Sequence, residues 1–410
     1  MSSTSLLPVE DAIARIADAC PSLPTEMVPL ADAGGRVLAA PLTATRTQPP
    51  FDGSAMDGYA VRFADVATVP VTLPVVGTSA AGSAFNNQLA TGQAARIFTG
   101  APVPSGADSV VIQENTTREG DNVTILVAPR EGQNIRRAGG DFRDGDCYLS
   151  AGRVLSNSDI ALAAAMNIPK LSVYRRPRVA FFATGDELVL PGETPGPDQI
   201  ISSNSAGLSI LIRELGGEPV DLGIARDTEE SIRAHATRGL DADILLTIGG
   251  ASVGDYDLVQ PVLKSMGLEM DFWKIAMRPG KPLMFGKLGT LPFIGLPGNP
   301  VSALICAQLF LRAAIDASRG RPAAHPVLQP VFAGTDLKEN DQRQDYLRAK
   351  LRLTSGGAWA ATPFPVQDSS LLTTLSASDC LIVRTPHAPA VSAGEIVPAL
   401  ILRTPNLSTE

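Results

Sequence analysis

DILLTIGGASVGDYD, residues 243–257, is the stretch on which the fold turns. An apolar run of strand length opens into Gly249, Gly250, Ser252 and Gly254, and a helical pattern follows from Asp257 to Met266. The same alternation continues on both sides. RVAFFA (178–183) precedes a helical stretch over Ser203–Leu215, while PLMFG (282–286) and LPFIGL (291–296) precede another over Val301–Ser318. Strands and helices alternating with Gly-shaped turns predict a central three-layer βαβ domain with a mostly parallel sheet. Ligands of such sheets sit outside the carboxyl ends of the strands.

The flanks read differently. Val9–Ala19 places Ile13, Ile16 and Ala17 at helical spacing, which predicts an amphipathic N-terminal helix ended by Pro21 and Pro24. Between Val61 and Val127, short β-branched runs alternate with Gly, Pro, Asn and Asp, as in a small β-rich domain. RPAAHP (321–326) reads as a linker, and the short strands beyond it suggest a C-terminal β-barrel or sandwich.

The chain has 410 residues, enough for about three domains. Its 37 Gly and 33 Pro, within an otherwise globular composition of 44% hydrophobic and 19% charged residues, indicate many turns. A net charge of -8 argues against a general nucleic-acid surface, yet leaves room for a local basic cleft. Cys20, Cys147, Cys306 and Cys380 form no CxxC pair, and three histidines without HExxH make a His-built metal site improbable. With no secretory h-region and no long uninterrupted apolar run, the expectation is a cytoplasmic protein without a membrane partner.

Six stretches carry candidate chemistry. PPFDGSAMDGYAVR (49–62) displays Asp57 before a strand, though its two Asp-Gly pairs are equally compatible with plain turns. RIFTGAPVPSGADSVVIQE (96–114) sets Thr99 beside Gly100, where a hydroxyl can approach a phosphate, unless the loop is an ordinary long turn. NIRRAGGD (134–141) brings Arg136 and Arg137 near Asp141, an oxyanion-binding pattern that a solvated loop would also show.

In ATGDEL (183–188), Asp186 and Glu187 follow a strand as hard oxygen ligands for Mg²⁺ would, or as the cap of the next helix. Gly249, Gly250 and Ser252 form an anion nest, with Asp257 close behind. WKIAMRPGKP (273–282) supplies Lys274, Arg278 and Lys281, and GLPGNPVSA (295–303) starts a helix with Pro297, Gly298, Asn299, Pro300 and Ser302 near its N-terminus. Together these suit a nucleotide or phosphorylated ligand with Mg²⁺.

In these motifs, in their order and approximate spacing, the sequence resembles the molybdopterin molybdenumtransferase family, the MoeA proteins and the gephyrin E domain. The resemblance implies a multidomain α/β plus β fold. Residues 1–50 and 143–176 would form a discontinuous, elongated N-terminal domain, 51–142 a small β-rich domain, 177–322 the molybdopterin-binding βαβ domain, and 323–410 a C-terminal β-barrel. It implies a homodimer that inserts molybdate into adenylylated molybdopterin, hydrolyses the phosphoanhydride and releases AMP. A molybdopterin adenylyltransferase would precede it, and molybdoenzyme chaperones or apoenzymes would receive its product.

On family positions fall Asp57, Thr99, Asp141, Glu187 and Asp257 as catalytic residues, with Asp186 and Glu187 as the metal pair. Arg136, Lys274, Arg278, Pro297 and Pro300, with Arg348 and Ser369 of the C-terminal domain, fall on substrate-binding positions. The chain departs from the pattern at Gly53, Gly140, Arg278 (Lys in many members) and Asp368. Rival readings are a molybdopterin adenylyltransferase, a dimeric scaffold, and a paralogue inserting tungstate or serving one dedicated enzyme.

Overall fold

A computed structural model describes residues 6–250, 258–322 and 325–403. Two compact units divide the chain, one built from Met1–Glu26 with Tyr174–Glu410 and the other from Met27–Val173.

The larger unit is organised on one sheet of six strands: β1 (Arg178–Thr184), β2 (Glu218–Ala225), β3 (Ile244–Ile248), β4 (Leu268–Trp273), β5 (Met284–Leu288) and β6 (Leu291–Leu296). Their spatial order is β2-β1-β3-β6-β5-β4; the first four are parallel, and β5 runs antiparallel to both of its neighbours, β6 and β4. Side chains of β1 alternate between two cores. Val179, Phe181 and Ala183 pack on one face with helices α1 (Val9–Ala19), α2 (Asn204–Glu214) and the long run α5 (Pro300–Ser318). Ala180 and Phe182 pack on the other face with α3 (Glu229–Arg238) and α4 (Val259–Ser265). Burial on both faces explains why these strands read as continuous apolar runs instead of alternating ones.

α1 fills the first core through Ala12, Ile13 and Ile16, each essentially inaccessible. α5 is long and apolar enough to cross a membrane, but most of it is buried as the central helix of this unit.

Five further strands, β7 (Gln329–Ala333), β8 (Gln344–Leu353), β9 (Trp359–Pro363), β10 (Cys380–Arg384) and β11 (Ile396–Ile401), close into the expected barrel. The ring runs β8-β9-β7-β11-β10 and returns through the β10–β8 pairing. Its lumen holds Val331, Ala349, Leu351, Ala361, Ile382 and Val397. On the outside, Tyr346, Leu381, Val383 and Leu400 join the same core as α1 and α5. Met277–Arg278 also pairs in parallel with Gln344 and Asp345 of β8.

The smaller unit contains a six-stranded sheet in which Gly58–Val61 lies between Ala94–Ile97 and Ser109–Ile112. A separate cluster gathers Val28, Leu38, Leu42, Phe142, Leu155 and Val173. There the helix Asn157–Ala165 starts with a reciprocal capping box: Ser156 Oγ accepts from Asp159 N, and Asp159 Oδ2 accepts from Ser156 N at 2.9 Å. Ser156→Ala is expected to cost about 1 kcal/mol in urea unfolding at pH 7. An unchanged midpoint would show that the box contributes nothing.

Candidate active site

Strand order sets the site. The chain leaves β1 toward β2 on one side, while β3 lies on the other, so a crevice opens beyond the carboxyl ends of β1 and β3. A cleft of about 1030 Å³ occupies this place. Its walls come from the ends of β1, β3 and β6, the turn 277–282, and the barrel loop 367–370.

One wall is acidic. β1 ends in Thr184-Gly185, and the Glu187 carboxylate folds back over Gly185, where a Cβ would stand 2.5 Å from Glu187 Oε2. Asp186 Oδ1 accepts the Asp227 backbone N–H at 3.2 Å, while Arg226 donates to the carbonyls of Asp186 and Leu188. Asp227 lines the cleft with Glu187. Burial, then the charge of Asp186, then that of Glu187, push the Asp227 carboxyl above its ordinary range.

The adjoining wall, at the end of β3, is polar. Gly249 and Gly250 both have positive φ (94° and 65°), and a Cβ on Gly249 would meet Thr184 Oγ1 at 3.0 Å. The Gly249 N–H already donates to Leu296 O, so this amide is not free for an anion. Beside it, the Asn204 side-chain amide donates to Gly298 O at 2.8 Å, and Asn299 Nδ2 donates to Ser369 Oγ at 2.8 Å. The Val301 N–H, near the start of α5, donates to Ser369 O, so the barrel loop caps part of that helix end.

The cations of 273–282 separate. Lys281 lines the cleft. Lys274 does not; its ammonium stands 4.2 Å from the Trp273 ring centroid. Arg278 lines the cleft, but Asp345 holds it through two hydrogen bonds and Asp341 lies 3.3 Å from its third nitrogen. Arg348 is buried, donating to Asp368 O, with its Nε unpartnered. Asp368 is engaged locally: Ser370 Oγ and N both donate to its carboxylate and draw its pKa down.

Of the expected site residues, the structure therefore gathers Glu187, Gly249, Gly250, Arg278, Lys281, Pro297, Gly298, Asn299, Pro300, Ser302 and Ser369 around one cleft. Ser252 and Asp257 lie outside the described residues.

Asp57, Thr99, Arg136 and Asp141 belong to the smaller unit. There Asp57 Oδ1 accepts from Thr99 N at 2.7 Å and Thr99 Oγ1 at 2.8 Å, which holds its carboxyl below the usual range. Arg136 pairs opposite Gly53 in a short two-stranded ladder, and the Asp141 N–H donates to Gln48 O. The neighbouring Arg137 is bound to Asp52 at 2.6 Å.

Sequence reading missed Asp227 and Asn204, whose positions carried a usable signal: one follows β2, the other opens the helix after β1, both at the carboxyl edge of the sheet.

Family models match nearly the whole chain in consecutive blocks: the MoeA N-terminal region over residues 7–167, a probable molybdopterin-binding domain over 180–317, and the MoeA C-terminal region over 331–402. The chain is 38% identical over 390 residues to the molybdopterin molybdenumtransferase of Nostoc sp., covering 93% of this chain and 89% of that protein. This chain belongs to the molybdopterin molybdenumtransferase (MoeA) family. A second relative, the molybdopterin molybdenumtransferase of Haemophilus influenzae, is 37% identical over 91% of this chain and 93% of its own. Among solved structures, a MoeA protein of molybdopterin biosynthesis from Pyrococcus horikoshii superposes with a TM-score of 0.82 at 28% identity, covering 97% of this chain and all of that one. Similarity to the family thus extends over the βαβ domain, the barrel and the smaller unit.

Proposed function

We propose that the protein inserts molybdate into adenylylated molybdopterin, hydrolysing the phosphoanhydride and releasing AMP. The observation that carries this reading is the cleft at the β1/β3 crevice, whose lining brings together the acids Glu187 and Asp227, the cation Lys281 and the 249–250 turn. In a chain whose full-length relatives are molybdopterin molybdenumtransferases, that arrangement favours the enzymatic reading over a scaffold or an adenylyltransferase.

Mg²⁺ suits the acidic wall. Among the described residues no three His, Cys, Asp or Glu form a complete metal cage. Mg²⁺ instead takes one or two carboxylates and completes its shell with water and substrate phosphate oxygens. Burial first, then the charges of Asp186 and Glu187, hold the Asp227 carboxyl above its ordinary range, and a cation beside these carboxylates would offset the charge part of that cost. Asp186 and Glu187 would hold the ion, with Asp227 beside them, and the bound ion would polarise the phosphoanhydride.

The protein's own groups do the rest. Lys281 offsets the charge that develops on the phosphate oxygens, and the 249–250 and 297–302 turns orient the substrate. Oxygen of water forms the new bond to phosphorus and gives up a proton, the bridging P–O bond breaks, and AMP separates from molybdopterin phosphate, while molybdate loses one oxo group as water, taking the two dithiol protons, as its molybdenum bonds to both dithiolene sulfurs. Asp57, fixed by Thr99, and the Arg136–Asp141 loop serve the same reaction in a homodimer. A molybdopterin adenylyltransferase supplies the substrate, and chaperones or apoenzymes of molybdoenzymes take the product in the cytoplasm, without nucleic acid or membrane.

The test is direct. Purified protein, adenylylated molybdopterin, Mg²⁺ and molybdate should yield AMP and molybdenum cofactor together. A folded dimer that yields neither product overturns the reading, and AMP release equal to that of a protein-free control does the same.

A further inference from the structure

Arg278 stands on the cleft rim and was expected to face the substrate's phosphates. Its guanidinium is held from the barrel side. The short strand Met277–Arg278 pairs in parallel with β8 so that Arg278 lies opposite Asp345. Nε donates to Asp345 Oδ1 at 2.9 Å, a terminal nitrogen donates to Oδ2, and the other lies 3.3 Å from Asp341 Oδ2. All three guanidinium nitrogens thus face carboxylates of the barrel. The Asp345 side chain is only 6% exposed, so its charge depends on this partner.

Strand β8 carries the effect onward. Three residues beyond Asp345, the Arg348 backbone N–H donates to Gln367 Oε1, Gln367 Nε2 donates back to Arg348 O, and the Arg348 guanidinium donates to Asp368 O. The next residue, Ser369, accepts from Asn299 Nδ2 through its hydroxyl and from Val301 N through its carbonyl. A continuous series of contacts therefore leads from Arg278 through β8 to the loop that forms one wall of the cleft.

We propose that Arg278 is a positioning residue: it docks β8 of the barrel and so sets the Gln367–Ser370 wall, without itself meeting the substrate. The proposal rests on the functional reading above. The grip also specifies arginine, since an ammonium cannot reproduce a two-pronged hold on a carboxylate. The barrel stays attached in its absence, because Tyr346, Leu381, Val383 and Leu400 are packed in the shared core.

Two conservative changes separate docking from direct charge contact. Arg278→Lys keeps the charge and loses the fork; Asp345→Asn keeps the arginine and frees it toward the cleft. Docking predicts that each raises KM for adenylylated molybdopterin about tenfold with kcat within about twofold, and that the double variant is no worse than either single one. Direct contact predicts near-normal KM for Arg278→Lys and an unchanged or lower KM for Asp345→Asn; either result overturns the proposal.

Hydrogen exchange supplies a readout independent of turnover. In Arg278→Lys the Val301 amide should exchange at least about tenfold faster while amides of β1 and β3 stay protected. Unchanged Val301 exchange refutes docking even if Asp345→Asn does not fold. A wild-type protein that releases no AMP would overturn the functional reading alone, leaving the exchange result to decide the docking role.

Discussion

Glu187→Gln is expected to lower AMP release by roughly 100-fold to 1,000-fold at saturating substrate, the range seen when one preorganised electrostatic group is removed from a reaction centre. Glutamine keeps the shape that folds over Gly185 and removes only the charge. The thermal midpoint should therefore stay within a few degrees of wild type. Single-turnover AMP release with matched calorimetry tests both halves. A rate within threefold of wild type would take Glu187 out of the reaction, and a large fall in midpoint would make the loss structural.

Gly58→Ala is expected to destabilise the smaller unit by about 3 kcal/mol or more, the upper end for overpacking a well-filled site. A Cβ there would stand 1.9 Å from Val111 O and 2.8 Å from Val111 C. Gly58 is flanked by Ile97 and Ile112 in a central strand, so the obstacle is backbone that cannot move aside without opening the sheet. The displacement begins next to Asp57, so its bonds to Thr99 should loosen too. Gly53→Ala provides the contrast: its new Cβ would find nothing closer than 3.7 Å, an ordinary contact, and should change stability by less than about 0.5 kcal/mol. Urea unfolding of both variants decides the matter, and equal midpoints would refute the assignment.

These two glycines show where sequence reading stops. Asp52-Gly53 and Asp57-Gly58 look alike as dipeptides and both pass for turns. Only the pairing of Gly58 between two neighbours reveals that it is there for close backbone approach, not for turn geometry. By contrast, the βαβ layer was legible because strands buried on both faces must be apolar throughout, and a parallel sheet must place helices between them. The cleft was legible for the same reason, through the turns after β1, β3 and β6.

What stayed hidden depends on partners far along the chain. Arg278 and Asp345 are 67 residues apart, and nothing local to either announces that one will neutralise the other. Asp227 is a lone acid before a helix cap until β2 brings it beside Asp186. The amides of Gly249 and Val301, which spacing offers to an anion, are taken by Leu296 O and Ser369 O once the fold forms.

The placement of α1 has a bearing on how the chain is made. Its core partners include Ile315 of α5 and Leu400 of the barrel, so α1 belongs to a core that is completed only by residues synthesised much later. Residues 27–173, in contrast, form a contiguous compact unit whose partners have all been synthesised by the time the βαβ domain begins. Synthesis therefore favours folding of residues 27–173 while α1 waits with its apolar face uncovered, a period in which that face is open to wrong contacts.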